Sequence, residues 1–164
     1  MQHLNRASKN IHFYHFGKSA YHLGALAKKY HQTIFFHAMG YLPHGACLEQ
    51  LMTMDAFLVV LDNRVAHADK TIGGKVYEYL ALKKPILALI PDKGEAASLI
   101  RSTDSGIVCD NSNVKQVADA LRDLVERNRT FQFREIEQYK RRHQALKLKR
   151  FLEGIITVPR SIPN

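Results

Sequence analysis

Two adjacent glycines and one glutamate, Gly73, Gly74 and Glu78, form the most informative group of residues in the chain. The glycines open a predicted helix, and the first backbone N–H groups of a helix are free to bind anions such as phosphate. Glu78 lies one helical turn further on, where its carboxylate could accept ribose hydroxyls. Lys75 could contact phosphate in such a site. The alternative is an ordinary surface helix after a plain turn, in which Lys75 pairs with Glu78.

The segments around this group alternate between apolar runs and helical patterns. Strands are predicted at residues 11–16, 33–37, 56–61, 85–90 and 106–109, and helices at 19–30, 45–53, 72–82, 94–101 and from 113 onwards. The run 56–61 is almost entirely apolar, which is typical of a strand buried on both faces. Strands separated by single helices predict an α/β fold, with a doubly wound parallel sheet that has helices on both faces. Ligands bind at the carboxyl ends of such strands, and the glycine turn is predicted at that edge.

The helix and strand that follow the glycine turn carry a more specific signal. From Lys75 the sequence reads Lys-x-x-Glu-Tyr-Leu-Ala-Leu-x-Lys-Pro-Ile. This segment resembles the donor-nucleotide motif in the C-terminal domain of GT-B glycosyltransferases of the group 1 type. The resemblance covers most of the chain, from about Ile11 through Pro91, Gly94, Ile100, Gly106 and the helix after Asn113. It implies a Rossmann-like domain at residues 11–132, the C-terminal half of a GT-B architecture without its first strand.

The resemblance also implies roles for residues at the predicted edge. In the family, the glycine that opens the helix contacts the diphosphate, and Gly73 matches it. The second acid of a Glu–seven residues–Glu pair holds the ribose, and Glu78 matches that position. The first acid of the pair would fall at residue 70, which is Lys70 here. That departure weakens any inference about the sugar and leaves the nucleotide interpretation intact.

Three further residues become candidates through the same resemblance. Gly94 and Glu95 begin the helix after the next strand, in the loop that the family places around the nucleobase and ribose. Gly17 resembles a glycine that lets the nucleotide approach closely. The alternatives are a plain turn whose acid interacts with the helix dipole, and a simple turn at the end of the first strand. No catalytic residue is identified.

The activity implied is that of a glycosyltransferase using a UDP- or GDP-type sugar. It would move a hexose to a glycan or lipid-linked acceptor, as in polysaccharide biosynthesis, without a further cofactor. The family places an acceptor-binding domain before the donor domain, so the chain resembles a fragment or one half of a split gene product, and in the second case a separate N-terminal chain would carry the acceptor-binding domain. The 164 residues alone are therefore expected to be inactive. The alternative is a non-catalytic Rossmann-like interaction module that has lost transferase activity, which Lys70 favours.

The net charge of +9 is concentrated in residues 1–33 and 134–150 rather than around the predicted site. We predict a disordered or leader segment at 1–10, a basic amphipathic helix at 133–155 that packs on the domain, and a tail at 156–164. Contact of this helix with an anionic membrane surface is a secondary possibility. Nucleic-acid binding rests on terminal charge alone, and we do not expect it.

The histidines and cysteines give little sign of a metal site or of disulfides. Among nine histidines, His12 and His15 are close in sequence but would face opposite sides of a strand, and no zinc-type spacing occurs. We therefore expect no metal. Cys47 and Cys109 fit two reduced thiols in a cytoplasmic protein, with the inner membrane surface as the alternative location. No apolar run approaches the roughly 20 residues that span a bilayer.

Overall fold

Strands and helices alternate along the chain in a computed structural model that describes residues 11–18, 20–29, 35–62 and 66–156. The strands are β1 (Phe13–Phe16), β2 (Phe36–Gly40), β3 (Phe57–Val60), β4 (Ile86–Leu89) and β5 (Gly106–Cys109). The helices are α1 (Ala20–Lys29), α2 (His44–Met52), α3 (Gly74–Leu82), α4 (Glu95–Ser102), α5 (Val114–Glu126) and α6 (Arg141–Ile156). Two short 3-10 helices occupy Ala68–Lys70 and Ile136–Tyr139.

All strand pairs within the described residues are parallel. β4 lies between β3 and β5, with Ile86 opposite Phe57 on one side and opposite Gly106 on the other. β1 and β2 form a separate two-stranded sheet, with a register irregularity between His15 and Phe16. No ladder joins the two sheets in the part of the chain described. The predicted parallel α/β fold is confirmed, but its strands form two sheets rather than one.

Helices cover both faces of the three-stranded sheet. On one face, alternate residues of β4 such as Ile86 and Ala88 form a core with Val76 and Leu80 of α3 and with the apolar side of α4. On the other face, Leu87 packs with residues of β5 and with α5. β4 is therefore buried on both sides, which explains its uninterrupted apolar sequence. This layering is that of a doubly wound, Rossmann-like domain.

Local sequence signals set several of the helix ends around this core. The Asn113 side chain accepts a hydrogen bond from the N–H of Gln116 at 3.0 Å and caps the start of α5. α3 ends where Lys83 adopts a left-handed conformation, with φ of 52°, two residues before Pro85. A proline in that place disfavours a helical conformation at the residue before it, so the helix ends and the chain continues as the extended strand β4.

The third strand differs from its prediction. Phe57 is 4% exposed, but Leu58 and Val60 are 41% and 57% exposed. The expectation of a strand buried on both faces was therefore wrong for β3. The physical reason is that, among the residues the structure describes, β3 is an edge strand of its sheet and pairs with β4 alone. β2 also differs, because it begins at Phe36, and residues 33–34 of the predicted strand lie outside the described residues.

The C-terminal region is also not the single packed helix that was predicted for 133–155. The 3-10 helix at Ile136–Tyr139 packs through Ile136 and Tyr139 against the main core. Lys140 is then extended, with ψ of 138°, and separates it from α6. Every residue from Arg141 to Ile155 is exposed. The predicted packing therefore holds for the 3-10 turn and not for α6. The predicted leader at 1–10, and the tail beyond residue 156, lie outside the described residues.

Candidate functional site

Three loops meet at the carboxyl edge of the three-stranded sheet. The loop after β3 contains the 3-10 helix Ala68–Lys70 and leads to Gly73, the loop after β4 contains Gly94, and the loop after β5 leads to Asn113. The side-chain N–H of Asn111 donates to the carbonyl oxygen of Leu61 at 3.3 Å and ties the third loop to the end of β3. These loops bring the candidates at 73–78 and 94–95 to one rim, as the parallel topology predicts.

Gly73 and Gly74 leave the start of α3 open. Gly73 precedes the helix in an extended conformation, with φ of −66° and ψ of 141°, and its carbonyl oxygen accepts a hydrogen bond from the N–H of Val76 at 3.0 Å. A Cβ atom at either glycine would meet no other atom within 4 Å. Within the described residues, the N–H groups of Gly74 and Lys75 have no backbone acceptor. The helix thus begins with two available donors and no side chain over them, a geometry suited to an oxyanion.

Glu78 lies in the same helix at intermediate burial. Four residues separate it from Gly74, which is about 6 Å along a helix axis. Neither a hydrogen bond nor an ion pair engages its carboxylate within the part of the chain described. Lys75 is exposed and is not within ion-pair distance of Glu78, although both residues are described. The alternative of a Lys75–Glu78 surface pair is therefore not what the structure contains.

The neighbourhood of Glu78 is partly shielded from water. The Tyr79 ring stacks on Phe57 with centroids 4.2 Å apart. Burial raises the pKa of the Tyr79 hydroxyl, and the nearby Cys47 and the Glu78 carboxylate raise it further. Glu78 is thus close enough to a half-buried phenol to affect its ionisation. A carboxylate in such a place gains from a ligand that donates hydrogen bonds to it.

Gly94 and Glu95 differ from each other in their surroundings. Gly94 is buried, and a Cβ atom there would lie 3.0 Å from the carbonyl oxygen and 3.2 Å from the Cα of Asp69. Its missing side chain therefore lets the loop after β4 pack directly on the 3-10 helix after β3. Glu95 is exposed in the first turn of α4, where a negative charge interacts favourably with the helix dipole. Gly94 thus has a packing role that is independent of any ligand.

Gly17 belongs to the two-stranded sheet. It follows β1 with φ of 149°, a conformation that side chains disfavour, and its N–H donates to the carbonyl oxygen of Gly40 at 2.7 Å. A Cβ atom at Gly17 would lie 3.3 Å from Cε1 of His15. These contacts explain why a glycine occupies the turn at the end of β1.

Two parts of the rim were not anticipated from the sequence. The 3-10 helix Ala68–Lys70 places the exposed Lys70 just before the glycine turn, and the hydroxyl of Thr71 donates to the carbonyl oxygen of His67 at 2.8 Å. In the loop after β5, hydrogen bonds from the N–H and the hydroxyl of Ser112 lower the pKa of the Asp110 carboxyl. A run of four short polar residues, 110–113, was the sequence signal for the second of these loops.

Histidines pair with one another on the smaller sheet. Nδ1 of His12 lies 2.9 Å from Nε2 of His37, and the two rings stack. Within the described residues, no three or more histidine, cysteine, aspartate or glutamate side chains are grouped so that they could hold a metal ion. Cys47 and Cys109 are free thiols. None of the helices in the described ranges combines the length and the apolar character needed to cross a bilayer.

Comparison with known families identifies one family that matches this chain. The sequence matches the family model of the group 1 glycosyl transferases over residues 1–145. No curated protein and no solved structure is significantly similar to the chain. The family match covers well over half of the 164 residues and includes all three rim loops. The chain therefore belongs to the group 1 glycosyl transferase family, as its motif from Lys75 to Ile86 indicated.

Proposed function

We propose that the rim of the three-stranded sheet binds the nucleoside diphosphate of an activated sugar. The observation that carries this proposal is the pairing of two features on α3. Free backbone donors lie at Gly74 and Lys75, uncovered because Gly73 and Gly74 carry no side chain, and an unpartnered, half-buried carboxylate lies about one turn later at Glu78, within the described residues. The donors suit a phosphate and the carboxylate suits the two hydroxyls of a ribose.

In this proposal each group has a separate task. The N–H groups of Gly74 and Lys75 bind phosphate oxygens, and the Lys75 ammonium adds positive charge beside them. Glu78 fixes the ribose and hence the direction of the nucleotide along the rim. When a hexose leaves for a glycan or lipid-linked acceptor, negative charge grows on the departing diphosphate. Donors already aimed at it would stabilise that charge without reorganisation.

Calorimetric titration with UDP, GDP and ADP tests the site directly. The variant Glu78→Ala removes an acceptor of charge-assisted hydrogen bonds, worth about 1.5–3 kcal/mol each, so the preferred nucleotide should bind about 10-fold more weakly or worse. Glu126→Ala is the matched control, because Glu126 is an exposed acid at the far end of α5. Binding that Glu78→Ala leaves unchanged, or no binding by any of the three nucleotides, would contradict the proposal.

A second candidate function is a nucleotide-binding module without turnover. Lys70 favours it, because an exposed cation ends the 3-10 helix where the family carries an acid. Transfer assays separate the two functions once nucleotide binding is established. The transferase predicts sugar transfer when a chain with the acceptor-binding domain is added and none from this chain alone. The module predicts that nucleotide binds and that no sugar is transferred in either case.

We also propose that α6 contacts an anionic membrane surface. The helix is exposed along its length, and Leu148, Phe151, Leu152 and Ile155 recur on one side of it, while Lys147 and Arg150 lie on the other. Sedimentation with vesicles of anionic or neutral phospholipid tests this contact. We expect binding to anionic vesicles that weakens with salt and with Phe151→Ser. Equal sedimentation with both vesicle types would argue against a basic, membrane-facing helix.

A further inference from the structure

A lysine that has no task in the proposed nucleotide site lies at the same rim. Lys70 ends the 3-10 helix Ala68–Lys70, in the loop between β3 and α3, and its side chain is exposed. Within the described residues, neither a hydrogen bond nor an ion pair engages its ammonium group. His67, which is also exposed, precedes the same helix. Two basic side chains therefore stand at the ends of one short turn, close in sequence to the glycines that open α3.

The backbone at Lys70 is held in place by its surroundings. The N–H of Lys70 donates to the carbonyl oxygen of His67 at 3.0 Å, and the hydroxyl of Thr71 donates to the same oxygen at 2.8 Å. The chain at Asp69 packs directly on Gly94, which fixes the 3-10 helix to the loop after β4. A lysine on such a turn has only its own side chain to order when a ligand binds, and this lowers the entropy cost of binding.

Lys70 is close enough to the start of α3 to contact a ligand bound there. Residues 71–73 connect the two helices without helical structure, with ψ of 127° at Thr71 and 141° at Gly73. Three residues span at most about 11 Å, and a lysine ammonium is carried on a flexible four-carbon stem. The ammonium group can therefore reach a ligand atom just beyond the first residue of α3, on the side from which the chain arrives.

We propose that Lys70 selects a donor sugar that carries a carboxylate, such as a hexuronic acid. This inference rests on the proposed nucleotide site. The diphosphate of a sugar nucleotide lies between the ribose and the sugar. With the ribose at Glu78 and the phosphates at Gly74, the sugar extends beyond the start of α3, toward Lys70. An ammonium group forms a charge-assisted hydrogen bond with a carboxylate, whereas a neutral hexose offers it only hydroxyl groups.

Lys70 and Lys75 have different tasks in this arrangement. Lys75 lies in the first turn of α3, beside the free N–H groups that would bind phosphate. Lys70 is separated from that turn by three non-helical residues and is positioned by the packing of the 3-10 helix on the loop after β4. Removal of the Lys70 charge should therefore change the affinity for the sugar and leave the affinity for the nucleoside diphosphate unchanged.

Exposure and neighbouring acids limit the size of the effect. Asp69 and Glu95 are exposed acids on the two elements that meet here. Asp92 is paired with Arg101 and adds little charge. An ion pair at an exposed position stabilises a complex weakly, so a carboxylate on the sugar should lower the dissociation constant about 3- to 5-fold at low salt. The preference should shrink as salt rises, because dissolved ions screen exposed charges.

Isothermal titration of the full chain with matched sugar nucleotides tests the inference. The pairs are UDP-glucose with UDP-glucuronic acid and GDP-mannose with GDP-mannuronic acid, and UDP or GDP alone reports on the nucleotide site. The unmodified chain should bind the uronic acid of its preferred pair more tightly than the hexose by the factor given above. Lys70→Met should abolish this preference, and Lys70→Glu should reverse it. Lys115→Met is the matched control, because it removes the same charge from the first turn of α5, at the same edge of the sheet.

Failure of the sugar preference can be told apart from failure of the nucleotide site. Equal affinity for hexose and uronic acid, with UDP or GDP still bound and weakened by Glu78→Ala, would overturn the selection of an acidic sugar and leave the nucleotide site intact. An equal loss of affinity for the nucleoside diphosphate alone in Lys70→Met would make Lys70 a phosphate contact instead. The same loss of preference in Lys115→Met would mean that the general charge of the rim, and not Lys70, selects the sugar. No binding by any nucleotide would overturn both proposals.

Discussion

Adding one methyl group at Gly74 gives the sharpest test of how α3 would hold phosphate. Gly74 is the first residue of the helix, has no positive φ, and a Cβ atom there would meet nothing within 4 Å. The substitution Gly74→Ala therefore creates no clash in the free protein. Gly45→Ala is a matched control, because Gly45 lies in the first turn of the nine-residue α2 and is equally unobstructed.

The structure predicts opposite effects of Gly74→Ala on stability and on binding. Alanine loses less backbone entropy than glycine in a helix, so both variants should gain about 0.5–1 kcal/mol, or roughly 1–4 °C in Tm. At Gly74 the methyl group would occupy the space that a phosphate needs. Loss of one charge-assisted hydrogen bond costs about 1.5–3 kcal/mol, which is about a 10- to 150-fold loss of nucleotide affinity. Gly45→Ala should bind nucleotide as the unmodified chain does.

Differential scanning calorimetry and isothermal titration with the preferred nucleotide measure the two quantities on the same preparations. A Gly74→Ala variant that is more stable and still binds normally would refute the assignment of phosphate to the start of α3. A variant that is less stable would show instead that the space beside Gly74 is not open. Equal losses of affinity in Gly74→Ala and Gly45→Ala would point to an indirect effect.

Two further predictions concern stability. A Cβ atom at Gly106 would clash with the carbonyl oxygen of Ile86, so Gly106→Ala must push β5 away from β4. Urea denaturation should show a loss of at least about 1–3 kcal/mol in the free energy of unfolding, and a neutral result would mean that the strands have room to separate. Burial, then Cys47 and Glu78, raise the pKa of Tyr79 above 10.0, so the folded state favours the neutral phenol. Stability from this group should be complete below pH 10 and lost as pH rises through the raised pKa, and Tyr79→Phe should flatten that loss in denaturation curves at alkaline pH.

The sequence predicted best those elements whose boundaries depend on neighbouring residues. β5 was predicted at its observed bounds, and α3 was correctly ended before Pro85, because turn and proline signals lie next to these segments in the chain. The positions of Gly73 and Glu78 relative to each other were also predicted from neighbouring residues. Its spacing is internal to one helix, and the helical rise alone sets the distance between the open amides and the carboxylate.

Features that depend on neighbours distant in sequence were missed. Apolar composition indicated that β3 would be buried, but burial depends on which strand and helix lie beside it, and the described chain supplies only β4. The packing of Gly94 on Asp69 joins two loops after different strands, and no local pattern encodes it. The break at Lys140 contains neither glycine nor proline. It follows from the packing of Ile136 on the core, after which the chain leaves the domain.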